Sequence, residues 1–252
     1  MEETSFDRLD ERGRNSNNGG AEFPGGLSVP WRAISGFPPF LPESRARGRS
    51  DPGAMRVVAG IWRGRTIRAP KGPAVRPTTD RVREAVFSIL GSAVEGSVVL
   101  DLFAGTGAMA IEALSRGAAE AVLVESSPAP YAAMKGNLEA LGAARAVGLP
   151  LDYREAVRRL SAWERRFTLV FLDPPYGKGL VGRSSALLSS AGILAPGAVV
   201  VAERAARDPE DAMPAGWNVR VDRRYGDTRI TLYDIPDPRG TDAPGRREEE
   251  RR

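Results

Sequence analysis

The chain has 252 residues and a mass of 27.0 kDa, with 42% hydrophobic and 27% charged side chains, a formal net charge of +4, and neither cysteine nor histidine. That length suits one ordinary domain with extra sequence at its ends. The missing residue types exclude disulfide frameworks, Cys/His metal centres, cysteine nucleophiles, Ser-His-Asp triads and any imidazole base, so chemistry must come from carboxylates, hydroxyls, backbone or a cofactor.

Taken in chain order, the N-terminus MEETSFDRLDERGRN is polar and unlike a signal sequence, and no apolar run approaches the roughly 18 residues needed to span a bilayer. A soluble, cytoplasmic protein is expected. Residues 1–54 hold 8 Gly and 6 Pro without helical or strand periodicity and read as a disordered extension. Periodic sequence starts abruptly at Met55, so translation is expected to begin there, which mass spectrometry of the native protein can check.

Residues 55–90 carry eight basic side chains against two acidic ones, a surplus of six, while the segments on either side are close to neutral. Such a concentration neutralises phosphates, and nucleic acid is the natural partner. Within it, RVVAGIWRGRTIRA (56–69) alternates apolar and basic residues around Gly64 and predicts a small β-hairpin exposing Arg63, Arg65 and Arg68. A helix follows, capped by Thr78, Thr79 or Asp80 and striped by Val82, Val86, Ile89 and Leu90 up to Gly91.

Strands and helices then alternate: strand 97–103, helix 107–116, strand 121–125, a helix from Pro128 to Gly142, strand 145–149, helix 153–163, strand 167–173, helix 180–191 and strand 197–203. This predicts an α/β protein with a parallel sheet covered on both faces. WNVRVDRRY and TRITLYDI flank the turn pair Gly226-Asp227 and add a closing antiparallel hairpin; the polar tail 237–252 is expected to be disordered.

Two turns carry the chemistry. VLDLFAGTGAMAIEAL passes from a strand through Gly105-Thr106-Gly107 into a helix, where backbone N–H groups and a helix N-terminus face a ligand. Glu125, at the end of the next strand, can accept hydrogen bonds from ribose hydroxyls. Asp101 would repel a pyrophosphate but favours the ammonium and sulfonium charges of S-adenosylmethionine, so that cofactor is preferred over a dinucleotide. The second turn, Asp173-Pro174-Pro175-Tyr176, ends the apolar strand FTLVFLD. Its prolines lack N–H groups and fix φ, so the Pro174 carbonyl is held in one direction. With the Asp173 carboxylate it makes an acceptor cluster for an exocyclic NH2, and Tyr176 offers a ring for a base taken out of its stack. Guanine, with adjacent N1–H and N2–H donors, suits such a cluster slightly better than adenine.

Three blocks resemble the RsmD-type methyltransferases, which modify the exocyclic N2 of a guanine in 16S ribosomal RNA: RVVAGIWRGRTIRAPKGPAVRPTTDRVREAVFSIL (56–90), LDLFAGTGAMAIEALSRGA (100–118) and LDPPY (172–176). The similarity runs over roughly 56–234, and the first block is the discriminating one. It implies a Rossmann-like class I S-adenosylmethionine-dependent methyltransferase fold with a mostly parallel seven-stranded sheet, preceded by a small basic hairpin and helix. It implies that Asp101, Gly105 and Gly107 line the methionine portion of the cofactor, with Phe103 and Thr106 beside them, Glu125 at the ribose and Asp152 at the adenine amino group. Asp173, Pro174 and Tyr176 would hold the target base. Arg63, Arg65, Arg76, Thr78 and Arg81 match the family's basic block, where RNA contact is expected.

The resulting organisation is an extension (1–54), an RNA-binding hairpin and helix (55–91), a catalytic domain (92–236) and a tail (237–252), acting as a monomer on 16S rRNA or an assembling small subunit, with no metal and no membrane. Rival readings are an amino-methyltransferase for adenine N6 or cytosine N4, which the absence of an inserted DNA-recognition domain disfavours, and an inactive RNA-binding assembly factor, which intact Asp101, Glu125 and Asp173 disfavour.

Overall fold

The computed structural model describes residues 55–70, 80–162 and 166–237. The expectations for 1–54, for the tail from 238, and for Arg76, Thr78 and Thr79 fall outside them. Two short strands, β1 (Met55–Arg56) and β2 (Thr66–Ile67), pair antiparallel, and helix α1 (Asp80–Leu90) follows. The remaining elements are β3 (Val98–Asp101), α2 (Ala108–Ser115), β4 (Glu120–Val124), α3 (Pro128–Leu141), β5 (Ala146–Leu149), α4 (Tyr153–Leu160), β6 (Phe167–Leu172), α5 (Leu180–Ala191), β7 (Leu194–Ala205), β8 (Asn218–Tyr225) and β9 (Thr228–Asp234). Among the described residues no helix is long and apolar enough to cross a membrane.

The seven-stranded sheet has the order β5-β4-β3-β6-β7-β9-β8. β3 to β7 run parallel, and β9 and β8 close the edge antiparallel, as the strand–helix alternation and the Gly226-Asp227 turn predict. The chain winds outward from β3 through β4 to β5, then returns to lay β6 on the other side of β3. The order therefore reverses between β3 and β6, and in open sheets ligands bind in the crevice outside the carboxyl ends at such a point. Nearly continuous burial along β4 and β6 reflects helices on both faces.

One face packs Val99, Leu123, Phe171, Val201 and Leu232 of the sheet against Val86 and Phe87 of α1, Ile111 and Leu114 of α2, and Met134 and Leu141 of α3. Arg83 and Glu112 approach each other, as do Phe87 and Arg116, so α1 and α2 lie side by side and run the same way. The N-terminal block, including Val57, Trp62 and Ile67, shares this core.

The small hairpin predicted over 56–69 is present with a short ladder. Only two residues pair in each strand, and Val57 adds hydrogen bonds to Arg65 and Gly64. The residues between fold onto α2 instead. Val58 and Ala59 donate their N–H groups to the buried Glu112 carboxylate at 2.8 and 3.0 Å, and the Trp62 N–H donates to Ser115 Oγ at 3.0 Å. Two side-chain acceptors on a helix thus replace the cross-strand ladder. The approach is so close that a Cβ on Gly60, which has φ of +82°, would lie 1.8 Å from the Ser115 carbonyl oxygen, so only glycine fits there.

Smaller departures sit at the ends of elements. A 3-10 turn over Gly91–Val94 extends the first helix beyond its expected stop, α4 ends at Leu160 rather than 163, and β7 begins at Leu194 and reaches Ala205.

Candidate active site

Four neighbouring strands deliver the singled-out acidic residues to one edge of the sheet. Asp101 is the last residue of β3, Glu125 follows β4, Asp152 follows β5, and Asp173 follows β6. Asp101 lies opposite Phe171 in the ladder, and the Leu102 N–H donates to the Phe171 carbonyl at 3.1 Å, so the two turns leave adjacent strands at nearly the same level. They flank the crevice where the strand order reverses.

The glycine turn is held from both sides. Gly107 caps α2 with φ of +82°, a conformation glycine adopts freely, and a Cβ there would press on Leu123 and Met134 at 3.0 and 3.1 Å. No side chain at the cap serves the helix; instead the Asp101 carboxylate, reaching from the strand, accepts the Ala110 N–H at 3.3 Å. Burial pushes the Asp101 carboxyl up to about 7 and the charge of Glu125 adds to the rise, while the N–H groups of Ala110 and Phe103 oppose it. A buried carboxyl in that state gains most from a cation brought beside it. The Glu125 carboxylate accepts the Gly105 N–H at 2.9 Å and the Ser127 N–H at 2.6 Å, which fixes both the turn and the start of α3.

Phe103 and Tyr153 pack with ring centroids 5.4 Å apart between the glycine turn and α4. Asp152 caps α4 by accepting the Arg154 N–H at 2.9 Å. Thr106 contributes its carbonyl, which accepts from Asn137 at 3.0 Å. A cofactor bearing an ammonium, a ribose and an aromatic base fits this set: a buried carboxyl short of a counter-cation, a second carboxylate one strand away, and glycine backbone at Gly105, where a Cβ would meet no atom within 4 Å.

On the other side of the crevice, Pro174 is buried and Tyr176 is 37% exposed. The Tyr176 hydroxyl donates to Glu203 Oε1 at 2.7 Å and lies 3.3 Å from Thr228 Oγ1, while the Gly177 N–H donates to Asp208 at 2.8 Å. Burial and the Glu203 hydrogen bond raise the tyrosine pKa, keeping the hydroxyl protonated as a donor. The proline corner is therefore clamped from β7, its following loop and β9, with the tyrosine ring still open to solvent.

The described residues of the basic block come from the N-terminal elements. Arg63, Arg65 and Arg68 are exposed around the β1–β2 turn, and Arg81 is exposed in the first turn of α1. Arg65 also donates to the Ala140 carbonyl of α3 at 2.8 Å. Sequence reasoning missed Asn137, Glu203, Thr228 and Asp208. Two left a signal: Asn137 interrupts the apolar stripe Met134-Asn137-Leu141, and Glu203 is an acidic residue at the carboxyl end of an apolar strand.

Comparison with known proteins matches this arrangement to one group. The chain is 37% identical over 186 residues to the ribosomal RNA small subunit methyltransferase D of Escherichia coli strain K12, covering 73% of this chain and 91% of that protein. It is 35% identical over 183 residues to the putative rRNA methyltransferase YlbH of Bacillus subtilis, covering 71% and 98%. A solved structure described as the putative methyltransferase yhhF from Escherichia coli superposes with a TM-score of 0.66 at 34% identity, covering 73% of this chain and 99% of that one. The family described as Conserved hypothetical protein 95 matches residues 55–234, the span that contains the captured hairpin and both turns. With its sheet order and both turns in place, the chain belongs to that family, the one that includes the ribosomal RNA small subunit methyltransferases D.

Proposed function

We propose that this chain is an S-adenosylmethionine-dependent methyltransferase that modifies the exocyclic N2 of a guanine in 16S ribosomal RNA. The observation that carries the reading is the convergence of the glycine turn after β3 and the Asp173-Pro174-Pro175-Tyr176 turn after β6 on adjacent strand ends, in a member of this family. S-adenosylmethionine, when bound, supplies an electrophilic methyl group. Asp101 would hold its ammonium and sulfonium end, the Gly105–Gly107 backbone its methionine portion, Glu125 its ribose and Asp152 its adenine, with Phe103 and Thr106 shaping the wall.

The remaining work falls to the proline corner. Asp173 and the Pro174 carbonyl accept the amine protons of the target base and localise its lone pair toward the methyl group. Tyr176, tied at its hydroxyl, presents a ring on which an extruded base stacks. Positioning of this kind accounts for up to about 7–11 kcal/mol of a barrier, so no imidazole is needed. The nitrogen becomes acidic once alkylated, and Asp173 or water takes its proton.

Arg63, Arg65 and Arg81, with Arg76 and Thr78 from the same block, would contact RNA phosphates. The protein would act as a cytoplasmic monomer on 16S rRNA or an assembling small subunit, with residues 55–91 docking RNA and 92–236 carrying the chemistry. Nucleoside mass spectra of ribosomal RNA from a deletion strain and its parent test the reading: loss of N2-methylguanosine supports it, and an unchanged spectrum overturns it. In the purified protein, Asp173→Ala abolishes methyl transfer while calorimetry still detects cofactor binding; full activity in that variant removes Asp173 from the mechanism.

A further inference from the structure

Asn137 lies in the middle of α3, 2% exposed, and its amide is committed to two separate parts of the chain. Its Nδ2 donates to the Thr106 carbonyl in the glycine turn at 3.0 Å and to the Arg68 carbonyl at 3.0 Å, while its Oδ1 accepts the Arg68 N–H at 2.9 Å. One side chain therefore closes a paired hydrogen bond with the backbone just after β2 and reaches the cofactor turn with the remaining donor. The chain at the two ends of this helix meets both regions again: Glu125, just before it, accepts the Gly105 and Ser127 N–H groups, and the Ala140 carbonyl, in its last turn, accepts from Arg65. α3 is thus a strut from the glycine turn to the basic block, with Asn137 as the contact that joins both to one amide.

We infer that Asn137 is a positioning residue that couples RNA docking on the N-terminal block to cofactor binding at the glycine turn, an inference that rests on the proposed function. A buried amide satisfied in three directions fixes its partners, because leaving any of them unpaired inside the protein is unfavourable. RNA held by Arg63, Arg65 and Arg81 reduces the motion of the Arg68 backbone. That fixes the amide, and the amide fixes Thr106. By linkage the effect is reciprocal, so bound cofactor must tighten RNA binding by the same factor.

The test measures binding of S-adenosylhomocysteine, which cannot react, by equilibrium dialysis with and without saturating small ribosomal subunits from a deletion strain. The wild-type protein is expected to bind at least about fivefold more tightly with subunits present, the lower end of ordinary coupling. In Asn137→Ala this ratio is expected to fall to about one while both ligands still bind separately. A merely structural role would weaken binding without removing the ratio. Wild-type coupling that survives unchanged in Asn137→Ala, or its absence from the wild type, overturns the inference and leaves the proposed function standing; failure of the wild type to bind subunits overturns both.

Amide exchange of the wild type gives a second reading independent of how the variant folds. Subunit binding is expected to slow exchange at 105–110, and S-adenosylhomocysteine to slow it at 66–69. Absence of both effects overturns the inference.

Discussion

In the proposed function Asp101 combines a structural task with a binding one, and its protonation links them. In the folded protein without cofactor its pKa is about 7, against an ordinary value of 3.8, because burial disfavours the charged form. Between those values the folded state retains a proton that the unfolded state has lost, so this group's contribution to stability is full below about pH 4 and is lost as pH rises to about 7. A sulfonium cation held beside it, as proposed, would reverse the preference. Calorimetry from pH 5.5 to 7 should therefore show cofactor affinity rising with pH, approaching tenfold per unit at the acid end, and Asp101→Asn should bind weakly with little pH dependence. A flat wild-type profile would contradict the assignment of Asp101 to the cofactor's cationic end.

Tyr176 can be tested just as directly. Its hydroxyl is a tether to Glu203, and in the proposed function its ring is a separate stacking surface. Removing the ring in Tyr176→Ala should cost about 1–3 kcal/mol of stacking, roughly 5- to 150-fold in kcat/KM. Tyr176→Phe keeps the ring and should lose less than Tyr176→Ala. Equal losses in the two variants would assign the effect to the tether rather than to stacking.

At the scale of elements, the N-terminal block is held by a buried ionic cluster. Glu112, fully buried, accepts two backbone N–H groups from residues 58 and 59, pairs with Arg116 at 2.7 Å, and lies 3.5 Å from the buried Arg83. Arg83 in turn reaches Asp80 and the Arg56 carbonyl, tying α1 to β1. Such clusters stabilise little relative to a well-packed apolar replacement, but removing one member leaves buried groups unpaired. Glu112→Ala is expected to cost about 3–5 kcal/mol in urea unfolding, and loss of less than about 1 kcal/mol would show that the cluster does not anchor the block. The sequence shows an alternating basic segment but not this capture, because the partners lie more than fifty residues away. Nothing local distinguishes Glu112 from a solvated helix residue.

At the scale of the whole molecule, charge is distributed unevenly. Among the described residues, the exposed Arg63, Arg65, Arg68 and Arg81 sit on a block that shares its core with the sheet, so in the proposed function RNA docking and the crevice belong to one packed body. Replacing Arg63 and Arg65 together by alanine should reduce the slope of log K against log salt by about two, one for each phosphate no longer neutralised. Arg65→Ala should also lower Tm, since its guanidinium satisfies a carbonyl near the end of α3, whereas Arg63→Ala should not. An unchanged salt slope in the double variant would remove this hairpin from the RNA-binding surface.

The strand–helix alternation, the antiparallel close at Gly226-Asp227 and the two turns after β3 and β6 were legible from local pattern, because periodicity, glycine and proline act over a few residues. What the tertiary structure alone decided is which distant groups meet: Glu112 with the β1–β2 loop, Asn137 with Arg68 and Thr106, and Glu203 and Thr228 with Tyr176. Those pairings depend on the order in which strands enter the sheet, and a linear pattern does not encode that order. The amino-acid sequence by itself determined the elements and the chemistry available at their ends, while packing determined which of those ends face one another across the crevice.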